Sequence, residues 1–268
     1  MYNLGMMLDN GLGVPRNHLE ALRMFRAAAD GGFAQAQYWL GTLYENGNGV
    51  EKDNFQAAEW YKKAADQGNA QAQTSLGYLL KEGVGIPKNY TEAVGLFKKA
   101  AEQGNGRACY ILGLMHYDGE GVQVDYEKSC DFHESAAANN FGAGFAGLGM
   151  CYTTGEGRKE DFVKARQLFA QAKEAGYSDA DSFFILLNKH EQLPVPERKL
   201  HVLDEARVRA YRKNDMKEVN KIISEMIEIN RLLKRPKAIR RLAMFYFPNY
   251  RRVLNALIVA YNLGDKSV

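Results

Sequence analysis

A chain of 268 residues with 46% hydrophobic and 25% charged residues has the composition of a folded globular protein, which sets aside disorder as the default. No stretch approaches the ~18 uncharged apolar residues of a spanning helix, and three cysteines, Cys109, Cys130 and Cys151, are too few for a small disulfide scaffold. The net charge of +3 hides an asymmetry: residues 1–180 carry 17 Lys and Arg against 22 Asp and Glu, and residues 181–268 carry 18 against 10, so the two parts differ in kind.

From the N-terminus, Leu4-Gly5 opens a pattern that returns at Leu40-Gly41, Leu76-Gly77, Leu112-Gly113 and Leu148-Gly149, an unbroken period of 36 residues. Six residues after each of these glycines a Gly-x-Gly follows, beginning at Gly11, Gly47, Gly83, Gly119 and Gly155. Its first glycine suits the left-handed residue that ends a helix. Four residues past the second glycine stand Asn17, Asp53, Asn89, Asp125 and Asp161, side chains that cap the N-terminus of a second helix. That helix carries small residues at Ala21, Ala57, Ala93 and Ala165 and an aromatic at Phe25, Tyr61, Phe97 and Phe169. A further alanine at 28, 64, 100, 136 and 172 completes the i, i+4, i+7 spacing of one apolar face. Each unit therefore reads as helix, Gly-x-Gly loop, helix, turn. No unit can bury both faces of its helices alone, so the units must stack.

These residues resemble the Sel-one-like repeat (SLR) family, whose pattern is met most fully at Leu40-Gly41, Tyr44, Gly47-Asn48-Gly49-Val50 and Ala57 to Ala65. The resemblance implies an all-α, right-handed α/α superhelical solenoid of the tetratricopeptide type over residues 1 to about 180, serving as a protein-binding scaffold or adaptor. A cysteine-rich branch of that family carries a cysteine pair in each repeat and is linked to β-lactam binding. Those pairs are missing here, which argues against an enzyme of that type. Repeat four also departs from the pattern, with His116 and His133 at aromatic positions, and repeat five has Arg158 in place of the valine.

After Ala180 the register asks for Leu-Gly and meets Phe184-Ile185, so Asp179 to His190 reads as a sixth first helix that closes an array spanning residues 1–190. Pro194 and Pro196 then break the chain. A basic helical region, 191–268, follows without the period, with helices expected near 197–213, 215–234, 237–247 and 249–263. Val219, Ile222, Ile223, Met226, Ile229 and Leu233 form a stripe on the second of these. The chain begins inside the first helix of repeat one, so compartment stays open among cytoplasm, periplasm and exterior.

Nothing points to catalysis, a cofactor or a metal. Gly142 to Gly147 spells Gly-x-Gly-x-x-Gly, but the register puts it inside a first helix rather than between a strand and a helix, where a dinucleotide loop belongs. Several glycines there make repeat five the softest unit. Cys130 and His133 have one-turn spacing and His116 and Cys151 lie near in register, a set better read as replacements of packing residues than as metal ligands. The two cysteines could also meet across neighbouring repeats; the odd cysteine count itself leans toward a reducing compartment.

Aligned with tetratricopeptide solenoids, the first helices line a concave groove. By that register it carries Tyr2, Met6, Asp9, Gln35, Tyr38, Glu45, Thr74, Tyr78, Glu82, Arg107, Tyr110, Leu114, Tyr117 and Asp118. Tyrosines of this kind either grip a partner protein or peptide or pack between repeats. A second surface is the run Arg231, Lys234, Arg235, Lys237, Arg240, Arg241, Arg251 and Arg252, interleaved with Phe245, Tyr246, Phe247 and Tyr250. It suits nucleic acid, an anionic membrane or an acidic partner, although a solvated helix face accounts for the same charges.

Overall fold

A computed structural model describes residues 1–192, 195–213 and 215–232. The chain divides into two compact units, Met1–Leu187 and Asn188–Val268. Among the described residues every regular element is a helix.

The first unit is a run of helix pairs: α1 Tyr2–Asn10 with α2 His18–Asp30, α3 Ala34–Asn46 with α4 Asn54–Asp66, α5 Ala70–Glu82 with α6 Tyr90–Glu102, α7 Gly106–Asp118 with α8 Tyr126–Ala138, and α9 Gly142–Thr154 with α10 Phe162–Glu174, followed by α11 Ala180–Glu191, which belongs to this unit as far as Leu187. Each helix packs on the next in the chain, the quasi-one-dimensional arrangement of an α/α solenoid. The punctuation expected from the sequence is present in all five units. The first glycine of each Gly-x-Gly is left-handed, as at Gly47 with φ 77°, and its N–H bonds back to Leu43 O. Asn17, Asp53, Asn89, Asp125 and Asp161 each accept the backbone N–H three residues on, which satisfies a donor that the helix start leaves free.

The core follows the same register. Phe25, Tyr61, Phe97 and Phe169 are fully buried, and so are Leu40 and Leu112 of the Leu-Gly pairs. The Leu-Gly glycine is there to let the aromatic lie on the backbone of the first helix. A Cβ on Gly41 would stand 2.7 Å from the Tyr61 ring, and one on Gly77 would stand 2.9 Å from the Phe97 ring.

In the second unit α12 Val195–Arg212 and α13 Met216–Leu232 pack together through Ala210, Val219, Ile222, Ile223 and Met226. Val219, Ile222, Ile223 and Met226 of the expected stripe thus pack with α12; Ile229 is buried as well, and Leu233 lies outside the described residues. Pro196 does not break the chain. It occupies the second position of α12, where a missing N–H costs nothing because helix starts leave those donors unpaired. The helices expected at 237–247 and 249–263 fall outside the described residues.

Candidate docking face of the first helices

The first helices hold the candidate groove residues, and most of these side chains are engaged within the array. Tyr2 packs its ring on Phe25 and Phe33 (centroids 5.9 and 5.2 Å), Tyr38 on Tyr61 and Trp39 (5.7 and 5.6 Å), and Tyr110 on His133 and Phe141 (5.4 and 5.8 Å). The three share one register, so each tyrosine covers the central ring of its own repeat. Thr74, at the same register, is buried and donates to Ala70 O. Tyr117 packs on Tyr126 and donates to Glu156 at 2.9 Å, in the Gly-x-Gly loop of the next repeat.

The rim carboxylates are engaged too. Glu45 accepts from the Tyr61 hydroxyl at 2.5 Å, and burial together with that carboxylate raises the Tyr61 pKa. Asp9 is buried and 2.7 Å from His18 Nδ1, and Gln35 accepts from Asn69 Nδ2 at 2.8 Å. Glu82 is exposed and pairs with Lys81, which also reaches Glu120 of the following loop at 2.8 Å. Burial opposes the Lys81 charge, and the two carboxylates outweigh it and raise its pKa.

Three of the candidate residues are exposed to solvent, on consecutive repeats. Tyr78 is 39% exposed, and the exposed Arg107 of the next repeat lies over its ring, 5.9 Å from the centroid. Glu82 flanks them one turn beyond Tyr78 on α5, and Leu114 is half-buried on α7 at the register of Tyr78. Met6 and Asp118 are half-buried as well.

Sequence reasoning overlooked a buried amide relay. Gln37 donates to Ala29 O at 3.1 Å and accepts from Gln67 at 2.7 Å; one repeat on, Gln73 donates to Ala65 O at 3.3 Å and accepts from Gln103 at 2.9 Å. Each relay ties the end of one second helix to the next pair, adding a side-chain bond to carbonyls that also accept from the turn, Gly32 N–H to Ala29 O and Gly68 N–H to Ala65 O, both at 2.9 Å. The signal was legible: Ala-Gln-Ala-Gln recurs at 34–37 and 70–73, with Gln67 and Gln103 one period apart.

Cys130 of α8 and Cys151 of α9 form a disulfide between repeats four and five, with Cα atoms 6.1 Å apart, while Cys109 is free and buried. The pairing takes both sulfurs out of the Cys-x-x-His set. The Gly-x-Gly-x-x-Gly at 142–147 lies wholly within α9 and follows no strand. Arg158 reaches back from the repeat-five loop to Asp131 (2.5 Å) and Glu134 (3.5 Å) of α8, replacing a valine contact with an ion pair. In the basic run, Arg231 falls in the last turn of α13. Lys234, Arg235, Lys237, Arg240, Arg241, Arg251 and Arg252 lie outside the described residues.

The Sel1 repeat model matches residues 1–33, 34–69, 70–105, 106–141 and 146–177, so the chain belongs to the Sel1 repeat family. Among solved structures it is similar to a Sel1 repeat protein from Oxalobacter formigenes (36% identity, TM-score 0.64, covering 67% of this chain and 71% of that one). It is also similar to c5321, a protective antigen of uropathogenic Escherichia coli strains with an SLR fold (31% identity, TM-score 0.62). That match covers 92% of this chain and 48% of the antigen, so the chain spans about half the antigen's length. No curated protein matches the chain. Proteins of this repeat family generally act as protein–protein interaction scaffolds. Among the described residues no helix is long and apolar enough to cross a membrane.

Proposed function

We propose that the array is a scaffold that holds a partner protein segment against its first helices, centred on repeats three and four. One observation carries this reading: at Tyr78 and Arg107 neighbouring repeats present a stacked aromatic and guanidinium to solvent, while the tyrosines at the other register are spent on packing. Tyrosine gives a large contact area at low entropy cost, and both tyrosine and arginine are enriched at binding hot spots. No catalytic residue is assigned.

A photo-crosslinking side chain placed at position 78, compared with one at the 71% exposed Val163 on α10, identifies the partner held on this face. With that partner purified, Tyr78→Ala combined with Arg107→Ala is expected to weaken binding by at least about tenfold, the loss of one modest hot spot, with the melting transition unchanged. Equal binding by the double variant removes the face from consideration. The excess of Lys and Arg after residue 181 supports a second reading, attachment to phosphate-bearing or acidic surfaces. Replacing Arg235, Arg240, Arg241 and Arg251 by Gln should then lower heparin retention sharply, and unchanged retention rejects it.

A further inference from the structure

Repeat four has a polar interior where its neighbours are apolar. Ser129 stands at the alanine position of Ala21, Ala57, Ala93 and Ala165, and His133 at the ring position of Phe25, Tyr61, Phe97 and Phe169. Both are buried, at 1% and 4% exposure, and neither Ser129 Oγ nor His133 Nδ1 has a hydrogen-bond partner. The imidazole is also enclosed without charge. From α7 it meets the Tyr110 ring and the Gly113 backbone, and from α9 it meets Gly147, where repeats two and four place Trp39 and Ile111. On α8 itself Lys128, Asp131 and Glu134 are exposed, and Arg158 pairs with the last two. Nearby His116 is stacked on Phe132 and sits within reach of Asp125, Lys128 and Lys98.

A neutral imidazole tolerates such a place, whereas an imidazolium with no acceptor at Nδ1 and no counter-charge beside it does not. The element it would push against is the one least able to resist. α9 opens on Gly142 and carries Gly144, Gly147 and Gly149 within it, each of these three costing a helix about 1 kcal/mol relative to alanine. Its far end is tied to α8 through Cys151, one turn beyond Gly147.

We propose that the joint between repeats four and five is an acid-operated hinge, in which protonation of His133 frees the glycine-rich start of α9 from α8 while the Cys130–Cys151 bond holds its end and repeats one to three stay stacked. The sign follows from burial, which pushes the His133 pKa down from 6.5 to about 4. Protons therefore favour the opened joint. The closed form is fully stabilised above pH 6.5, and that stabilisation is lost as pH falls toward 4.

The experiment is amide hydrogen exchange on the full chain at pH 7 and pH 5, corrected for intrinsic rates, with His133→Phe and His133→Tyr alongside. Those rings are the ones that repeats one to three and five carry at this position. In the native chain the opening constant over 142–149 should rise by about 20-fold between the two pH values, the ratio that pKa values of 6.5 and about 4 give by linkage. Repeats one to three should barely change, and both variants should lose the response. An acid response retained in the variants, or spread evenly over all five repeats, overturns the hinge. So does a folded-state His133 that titrates above pH 6 in an NMR titration of the native chain, a measurement that needs no variant.

Discussion

Repeats two and three differ from repeats four and five in how each joins its neighbour, although all follow one 36-residue plan. Between repeats two and three the ring is the buried Tyr61, Ser75 stands at the facing position, and Gln73 bridges Ala65 O to Gln103. Between repeats four and five the ring is a histidine and the residue facing it is Gly147. Phe145 takes the place of the bridging glutamine, and a disulfide crosses the gap. One plan thus tolerates two kinds of joint, the first held by packing and amide bonds and the second by a covalent staple and close backbone approach. The repeat sets where a side chain points, and the identity of that side chain sets how firmly the units cohere.

The largest expected effect tests whether the ring is what matters in both joints. Phe97→Ala removes a fully buried ring and should destabilise the array by about 3–5 kcal/mol. His133→Ala should cost clearly less, because a smaller ring with an unpartnered nitrogen is lost. Denaturant unfolding followed by hydrogen exchange over each repeat measures both, and equal losses would mean that the two joints are energetically alike. Next in size is the staple. Reduction of Cys130–Cys151, or replacement of both by alanine, releases a loop of 21 residues and should cost about 3 kcal/mol by chain entropy. The loss should appear in repeats four and five, and a melt insensitive to reductant would show that packing alone holds that joint.

Glycines sharpen the comparison at smaller scale. Gly95, on α6, has open space where a Cβ would go, so Gly95→Ala should stabilise the chain by about 0.5–1 kcal/mol. Gly147→Ala would bring its Cβ to 2.7 Å from the His133 ring, and should destabilise despite the same gain in helix propensity. Thermal melting of the two variants in opposite directions is the result that separates a glycine tolerated from a glycine required.

The solenoid was legible because its signals are local. Gly47 must be left-handed and Asp53 must cap whatever surrounds them, so both could be placed from sequence spacing alone. The docking face was less so. Tyr38 and Tyr78 look alike in sequence, yet Tyr38 stands at the register that covers the central Tyr61 ring, and Tyr78 stands one turn on, where its ring is open to solvent and to Arg107. Tetratricopeptide register assigns both to the groove and cannot tell which one the core consumes. The Cys130–Cys151 pair was open for a related reason: register brings α8 and α9 together, but only the backbone separation decides whether two sulfurs meet.

The smallest effect concerns the turn into the weaker joint. Gly32, Gly68, Gly104 and Gly176 close their second helices with positive φ, and repeat four puts Asn140 there at φ 54°. The left-handed region strains a residue with a Cβ, by about 1 kcal/mol for alanine and less for asparagine, whose side chain suits that conformation. Replacing it by glycine relieves the remaining strain but enlarges the freedom lost on folding, and the two terms offset. Asn140→Gly should therefore shift stability by less than about 0.5 kcal/mol, whereas Asn140→Ala should cost about 1 kcal/mol. Paired denaturant titrations read the difference. A large gain from glycine would show that repeat four is strained at its turn as well as polar in its interior, and the weakness of the joint would then begin before His133.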